Sequence, residues 1–207
     1  MHLIDLSHTI EHGMTTYPGL PAPSITTHLS REASRASYGG EAEFHIGRID
    51  MVANTGTYLD APSHRFAEGD DIAALPLEKI AALPAVVVDH GEPFPDVKGH
   101  AVLIRTNWSR HWGTDAYLRG HPFITRSDAQ RLAEGGAVLV GIDSLNIDDV
   151  ADLSRPAHTI LLRSGIPVLE HLTGLDQLPK SGFQLFAVPP KVKGMGTFPV
   201  RAFAILP

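Results

Sequence analysis

The chain reads as a single α/β domain built on a mixed β-sheet, and three observations carry that reading. A β-branched run, Ala85-Val-Val-Val-Asp89, and a second run, His100-Ala-Val-Leu-Ile-Arg-Thr106, have the length and composition of buried strands. A helical segment separates the second run from a third, Ala137-Val-Leu-Val-Gly-Ile-Asp143. Strand, helix and strand in that order make a right-handed crossover unit, and hence a mixed α/β sheet. No linker, internal repeat or low-complexity tract interrupts residues 1–207, so one domain is expected to span them.

In chain order, Leu3-Ile-Asp-Leu-Ser7 alternates like a short strand. Met14 to Pro23 holds three prolines and a glycine, which enforce an irregular loop. Within it, Tyr17-Pro18-Gly19 reads as a turn with a packed ring. Ser30 to Glu43 is polar and interrupted by glycine, and loop is expected there. From Phe44 to Asp60 the pattern is extended, with Ile49-Asp-Met-Val-Ala53 read as a strand running into Asn54-Thr-Gly-Thr-Tyr-Leu-Asp-Ala-Pro-Ser-His64.

If the chain stays extended through that stretch, Asn54, Gly56, Tyr58 and Asp60 share one face. Pro62 forbids a regular helix across its end, so His64 is expected on a turn just beyond the carboxylate. Leu75 to Ile80 reads as a short helix starting near Pro76. Trp108 to Phe123 is rich in aromatic, histidine and glycine residues without a period, the kind of segment that carries binding surface. Thr125-Arg-Ser-Asp128 resembles a capping box and opens the crossover helix, which Gly135-Gly136 closes. Pro156-Ala-His158 starts a further helical stretch that runs to Arg163 and ends at Ser164-Gly165.

Composition narrows the function classes. Apolar content of 43% and charged content of 19% describe an ordinary globular protein. A net charge of −6 with no basic run gives no electrostatic reason to expect nucleic acid. There is no cysteine, which excludes disulfides, thiolate nucleophiles and sulfur-ligated zinc. Any metal must therefore sit among nitrogen and oxygen ligands. The first residues lack a charged leader with an apolar core, and no run approaches membrane-spanning length, so cytoplasmic residence without membrane contact is expected.

An amide, a phenol and a carboxylate in a row, followed by an imidazole, suggest a site. The same residues resemble the signature of the cyclase family of metal-dependent hydrolases, which includes bacterial kynurenine formamidase and isatin hydrolase. That signature reads His-x-Gly-Thr-His-x-Asp-x-Pro-x-His. Gly56, Thr57, Asp60, Pro62 and His64 match it, while Asn54 and Tyr58 stand where the family has two metal-binding histidines. Further matches are the Asp-Leu-Ser opening with its Tyr17-Pro18-Gly19 loop, Gly141-x-Asp143 after a strand, and the isolated His158 at a helix start. Gly165-Ile166-Pro167 with Glu170, and the glycine-rich turn and Pro-x-Arg of Lys193 to Arg201, complete the set. The resemblance covers nearly the whole chain. It implies a cyclase-like swivelling β/α/β fold with a barrel-like core and flanking helices, and assembly as a homodimer or larger homo-oligomer. It also implies Tyr17 as a pocket residue and Asp60, His158 and Glu170 as metal ligands.

With two histidines absent, two chemistries stay open. In the preferred one, a single zinc or manganese ion is held by Asp60, His158 and Glu170, with His64 as general acid and base for water attack on a small amide, formamide, lactam or lactone. In the other, no metal binds, His64 acts beside Asp60, and Tyr58 donates to a developing oxyanion. A metal-free lyase or dehydratase using His64 and Tyr58, and a degenerate small-molecule binding protein, are the alternatives to hydrolysis. Tyr17, Asn54 and Trp108 are the expected substrate contacts, aromatic rings suiting a planar ligand. His111, His121 and His171 are read as surface or hydrogen-bonded groups.

Overall fold

The computed structural model describes residues 1–207. Its elements are β1 (His2–Asp5), β2 (Ser24–Leu29), α1 (Arg31–Ser37), β3 (Ile46–Asp50), β4 (Tyr58–Asp60), β5 (Leu83–Asp89), β6 (Ala101–Arg105), α2 (Arg126–Glu134), β7 (Leu139–Ile142), α3 (Pro156–Arg163), β8 (Val168–Glu170), β9 (Phe183–Phe186), β10 (Thr197–Pro199) and β11 (Phe203–Leu206). Nine strands form one curled, half-barrel sheet in the order β1-β11-β9-β5-β6-β7-β8-β4-β10. The centre, β5-β6-β7-β8, is parallel, and both flanks are antiparallel, so the sheet is mixed as expected. β2 and β3 pair separately as a two-stranded ribbon.

Alternation along the central strands sends residues to two cores. Ala85, Val87, Leu103, Leu139 and Leu169 pack inside the curl with Leu6, Leu59 and Leu185. Val86, Val88, Val102, Ile104, Val140, Ile142 and Val168 face the other way and are covered by α2 and α3 through Leu132, Leu161 and Leu162. This two-sided burial explains why the central strands read as continuous apolar runs. The capping box of α2 forms as the sequence suggests, with Thr125 and Asp128 bonded reciprocally. No helix is long and apolar enough to cross a membrane.

Two stretches differ from the sequence reading. Residues 31–37 are helical rather than loop, because the Ser30 side chain accepts from the Ala33 amide and caps a run of good helix formers before Gly39-Gly40. The chain is not extended throughout 44–60. Strand β3 ends at Asp50, the Thr55 hydroxyl donates back to Val52 O, and Gly56 takes φ 68°. That left-handed turn swings the chain from the ribbon into the main sheet, and a Cβ at Gly56 would sit 2.9 Å from Ile10 Cγ1.

Leu103 is fully buried in the inner core. Leu103→Ala should cost about 2–5 kcal/mol of unfolding free energy, measured by denaturant titration; a loss below about 1 kcal/mol would mean the curl is not packed as described.

Candidate functional site

The site grows out of the sheet register. Strand β4 lies between β8 and β10, with Tyr58 opposite Glu170 on one side and Pro199 on the other, and Asp60 opposite Val168 and Thr197. Residues two apart on a strand share a face, so Tyr58, Asp60, Glu170 and Thr197 all look toward α3. The intervening Leu59 and Leu169 point into the inner core and lock that register. Glu170 stands at the carboxyl end of the last parallel strand, the edge at which α/β sheets bind ligands.

His158 arrives from the first turn of α3. Arg155 provides no side-chain cap; the cap comes from Asp148, on the loop after β7. The Asp148 carboxylate accepts from the amides of Ala157 (2.6 Å) and His158 (3.0 Å) and from His158 Nδ1 (2.6 Å). An anion at a helix start is favourable, and here it also fixes the ring. His158 Nε2 is thereby aimed between Asp60 Oδ2 and Glu170 Oε1, 3.5 Å from each. These distances are too long for a good hydrogen bond to either oxygen.

The cluster is deeply buried. Asp60 is 0% and Glu170 1% exposed. Burial opposes ionisation of Asp60, but the His64 and His158 imidazoles and the Thr197 hydroxyl prevail and lower its pKa. Burial pushes Glu170 up to about 7 against the pull of His158, with Asp60 adding repulsion. Burial also works against a charged His158, yet Glu170, Asp148 and Asp60 around it raise it to about 10. One cationic ring between two carboxylates thus holds the cluster together in the absence of another cation.

The donor set fits a divalent metal. Asp60, His158 and Glu170 offer ligand atoms within 4.8 Å of one another. Asp60 Oδ2 is buried with no hydrogen-bond partner, an exception that calls for an ion or water. A carboxylate-backed imidazole and two further carboxylates are ordinary ligands for zinc or manganese.

His64 follows on a single 3-10 turn, Pro62–His64, as the proline implied. Thr197 Oγ1 bonds Asp60 Oδ1 and lies 2.8 Å from His64 Nδ1. The hydroxyl has one proton and ionised Asp60 can only accept, so Thr197 donates to Asp60 and His64 Nδ1–H donates to Thr197. In the neutral ring the lone pair is then on Nε2, which lies 3.9 Å from Asp60 Oδ1. Gly196 makes this approach possible: a Cβ there would sit 2.6 Å from His64 Cα.

Tyr58 is on the Asp60 face, and its hydroxyl donates to Glu170 Oε2 at 2.7 Å. Burial and the neighbouring carboxylates raise its pKa well above 10, so it is a neutral phenol. His171 Nε2 lies 3.3 Å from that phenol oxygen, and Tyr117 Oη is 2.8 Å from His171 Nδ1. Burial lowers His171 to about 3 and keeps it neutral. One tautomer satisfies the whole chain: Tyr117 donates to His171, His171 to Tyr58, and Tyr58 to Glu170.

A cavity of about 350 Å³ opens over the cluster, lined in part by Tyr17, Leu20, Asn54, Tyr58, His64 and Glu170. Of the expected substrate contacts, Tyr17 and Asn54 reach it. Trp108 does not: its indole N–H donates to Tyr117 O and its ring packs edge-on to His111. The 3-10 turn that begins at Trp108 directs the ring toward its own loop. His171 and His121 are hydrogen-bonded groups, His121 to Asp148 O. Sequence reasoning missed the supporting Asp148, Thr197 and Tyr117. Only the nine residues between Asp148 and His158, a loop and a helix start, hinted at any of them.

Comparison with known proteins follows the same lines. The family described as "Putative cyclase" matches residues 4–97 and 90–149. Kynurenine formamidase from Salinibacter ruber is 30% identical across 98% of this chain and 96% of its own length. The enzyme of the same name from Paracidovorax citrulli is 31% identical across 97% and 94%. Among solved structures, isatin hydrolase A from Ralstonia solanacearum aligns with a TM-score of 0.82 at 22% identity, over 100% of this chain and 92% of that one. Isatin hydrolase A from Labrenzia aggregata, bound to benzyl benzoate, gives 0.80 at 25% identity, over 99% and 93%.

The hydroxyl of Thr197 has a measurable signature. Ring nitrogen shifts should report His64 as the Nδ1–H tautomer, Thr197→Ser should keep it, and Thr197→Val should mix the tautomers and lower turnover about tenfold or more. An unchanged His64 spectrum in Thr197→Val would disprove the arrangement.

Proposed function

The chain belongs to the cyclase family, and from that premise we propose that it hydrolyses a small amide, such as a formamide or lactam, or the corresponding lactone. The observation that carries this reading is the convergence of Asp60, His158 and Glu170 on an unpartnered carboxylate oxygen, beside an imidazole with a free lone pair. Relatives named kynurenine formamidase, 30% and 31% identical over nearly their whole length, support amide hydrolysis as the reaction class.

Asp60, His158 and Glu170 would hold one zinc or manganese ion. When bound, such an ion polarises a carbonyl and brings the pKa of water down to about 7. The residues of the chain do the rest. His64 Nε2 takes the proton of the attacking water and returns it to the departing nitrogen or oxygen as that bond breaks. Thr197 holds His64 in the tautomer this requires, and Asp60 stabilises the imidazolium formed in between. Asp148 keeps His158 turned inward. Tyr58 keeps Glu170 oriented, so its proton is directed at that carboxylate and not at a substrate oxygen. This arrangement favours hydrolysis over an acid–base lyase that relies on the phenol. Tyr17 and Asn54 border the bound substrate.

The reading includes a cytoplasmic protein that assembles as a homodimer or larger oligomer. The two-stranded ribbon supports assembly, because it presents Ile25, Ile46 and Ile49 at 42–49% exposure, and an isolated pair of strands is marginal in water.

Metal binding and turnover test the proposal together. Purified protein should bind about one zinc or manganese per chain and lose it in Asp60→Ala, and His64→Ala should lower kcat on formanilide by about 10²–10⁴. The affinity for the ion should rise with pH, because it displaces a proton from His158, whose pKa is about 10. Titration calorimetry in buffers of different ionisation enthalpy reads that proton release. Stoichiometric metal in Asp60→Ala, or affinity independent of pH, would overturn the site. Light scattering should show more than one chain per particle, and Ile49→Lys should shift it toward the monomer.

A further inference from the structure

Two arginines, Arg65 and Arg155, line the mouth of the active cavity above the Asp60, His158 and Glu170 cluster. Neither guanidinium forms an ion pair, as is true of most arginines in this chain, so the case rests on where these two stand. The nearby acids are turned to other partners: Asp152 accepts from Ser154, and Asp149 from the Ala151 amide.

Both arginines are held in place by neutral groups that leave donors free. Arg155 Nη1 donates to Asp149 O at 3.0 Å, and Nη2 lies 3.5 Å from the Tyr17 hydroxyl. A guanidinium has five N–H donors, so most of them remain. Arg155 also sits in the left-handed region at φ 45° and ψ 64°, immediately before Pro156. That is a strained conformation for a non-glycine residue, and such strain gathers at functional sites. Arg65 directly follows His64, and its Nε reaches only the Thr159 hydroxyl, at 3.4 Å. Arg155, His158 and Thr159 belong to the same helix start, so both guanidiniums flank the turn that delivers the ring of the catalytic floor.

We propose that Arg155 and Arg65 form an anion-recognition site at the mouth of the cavity, and that the substrate carries a carboxylate at the end remote from the bond that is cut. A planar, fork-shaped donor suits a carboxylate. Two guanidiniums at the mouth hold such a molecule by its anion and leave its amide to face the floor. A volume of about 350 Å³ lies near the small end for ligand pockets, so the substrate is one ring with short substituents. The inference rests on the hydrolase reading for the word substrate, but the anion site itself does not need turnover.

The test compares 4-formamidobenzoate with its neutral methyl ester. The wild-type protein should prefer the anion in kcat/KM, and Arg155→Met should reduce the ratio of anionic to neutral substrate by about tenfold or more, the scale of a charge-assisted hydrogen bond. Arg155→Lys should restore part of the ratio, and Arg65→Met, which leaves the helix start intact, should lower it independently. Equal rates on the two compounds in the wild type, or an unchanged ratio in both methionine variants, would overturn the proposal. If neither compound is cleaved, the hydrolase reading fails separately. Calorimetry with benzoate and benzamide on chelator-treated protein then decides the anion site. Benzoate binding lost in the Arg155→Met variant supports it, and benzoate binding no better than benzamide sinks it.

Discussion

The structure depends on a fully buried carboxylate with few partners in the protein. Asp60 lies in the middle of a three-strand patch with one oxygen bonded to Thr197 and the other bonded to nothing. A buried anion in this state costs several kcal/mol unless compensated. The compensation comes from outside the sheet, through His158 on α3, and it needs α3 to begin at one particular place. The Asp148 carboxylate caps that helix and grips the His158 ring at once, so secondary structure and site chemistry share one side chain.

Second neighbours matter as much as first. Thr197 decides which nitrogen of a neutral His64 carries the proton, and Asp148 holds the His158 ring by its Nδ1. The line from Tyr117 through His171 to Tyr58 ends on Glu170, with every donor matched to an acceptor. Such a chain is strong when complete, because a low-dielectric interior strengthens each bond and penalises any gap. His171, in the middle of that line, has a left-handed backbone at φ 55°.

Where the family signature carries histidine, this chain places Asn54 and Tyr58. Each answers that change differently. Tyr58 enters the sheet opposite Glu170 and gives that carboxylate a permanent hydrogen bond. Asn54 stays in the turn before Gly56 and borders the cavity. The result is a floor with three converging donors and a rim with two arginines.

The sequence by itself determined the crossover unit of a mixed sheet, the capped helix within it, the turn that presents His64, and the likeness that paired Asp60 with His158 and Glu170. Those features are local: periodicity, a capping box, a proline and a motif are written in neighbouring residues. The short helix after Ser30 was legible in principle through its cap, but glycines around it masked the signal. The tertiary structure alone decided the rest. Trp108 was an aromatic in an irregular segment, and only the direction of its turn sends it away from the cavity. Thr197 meets Asp60 from 137 residues away, and Arg155 meets Tyr17 from 138. Contacts at that separation follow from strand order and register, which a chain read in one dimension does not contain.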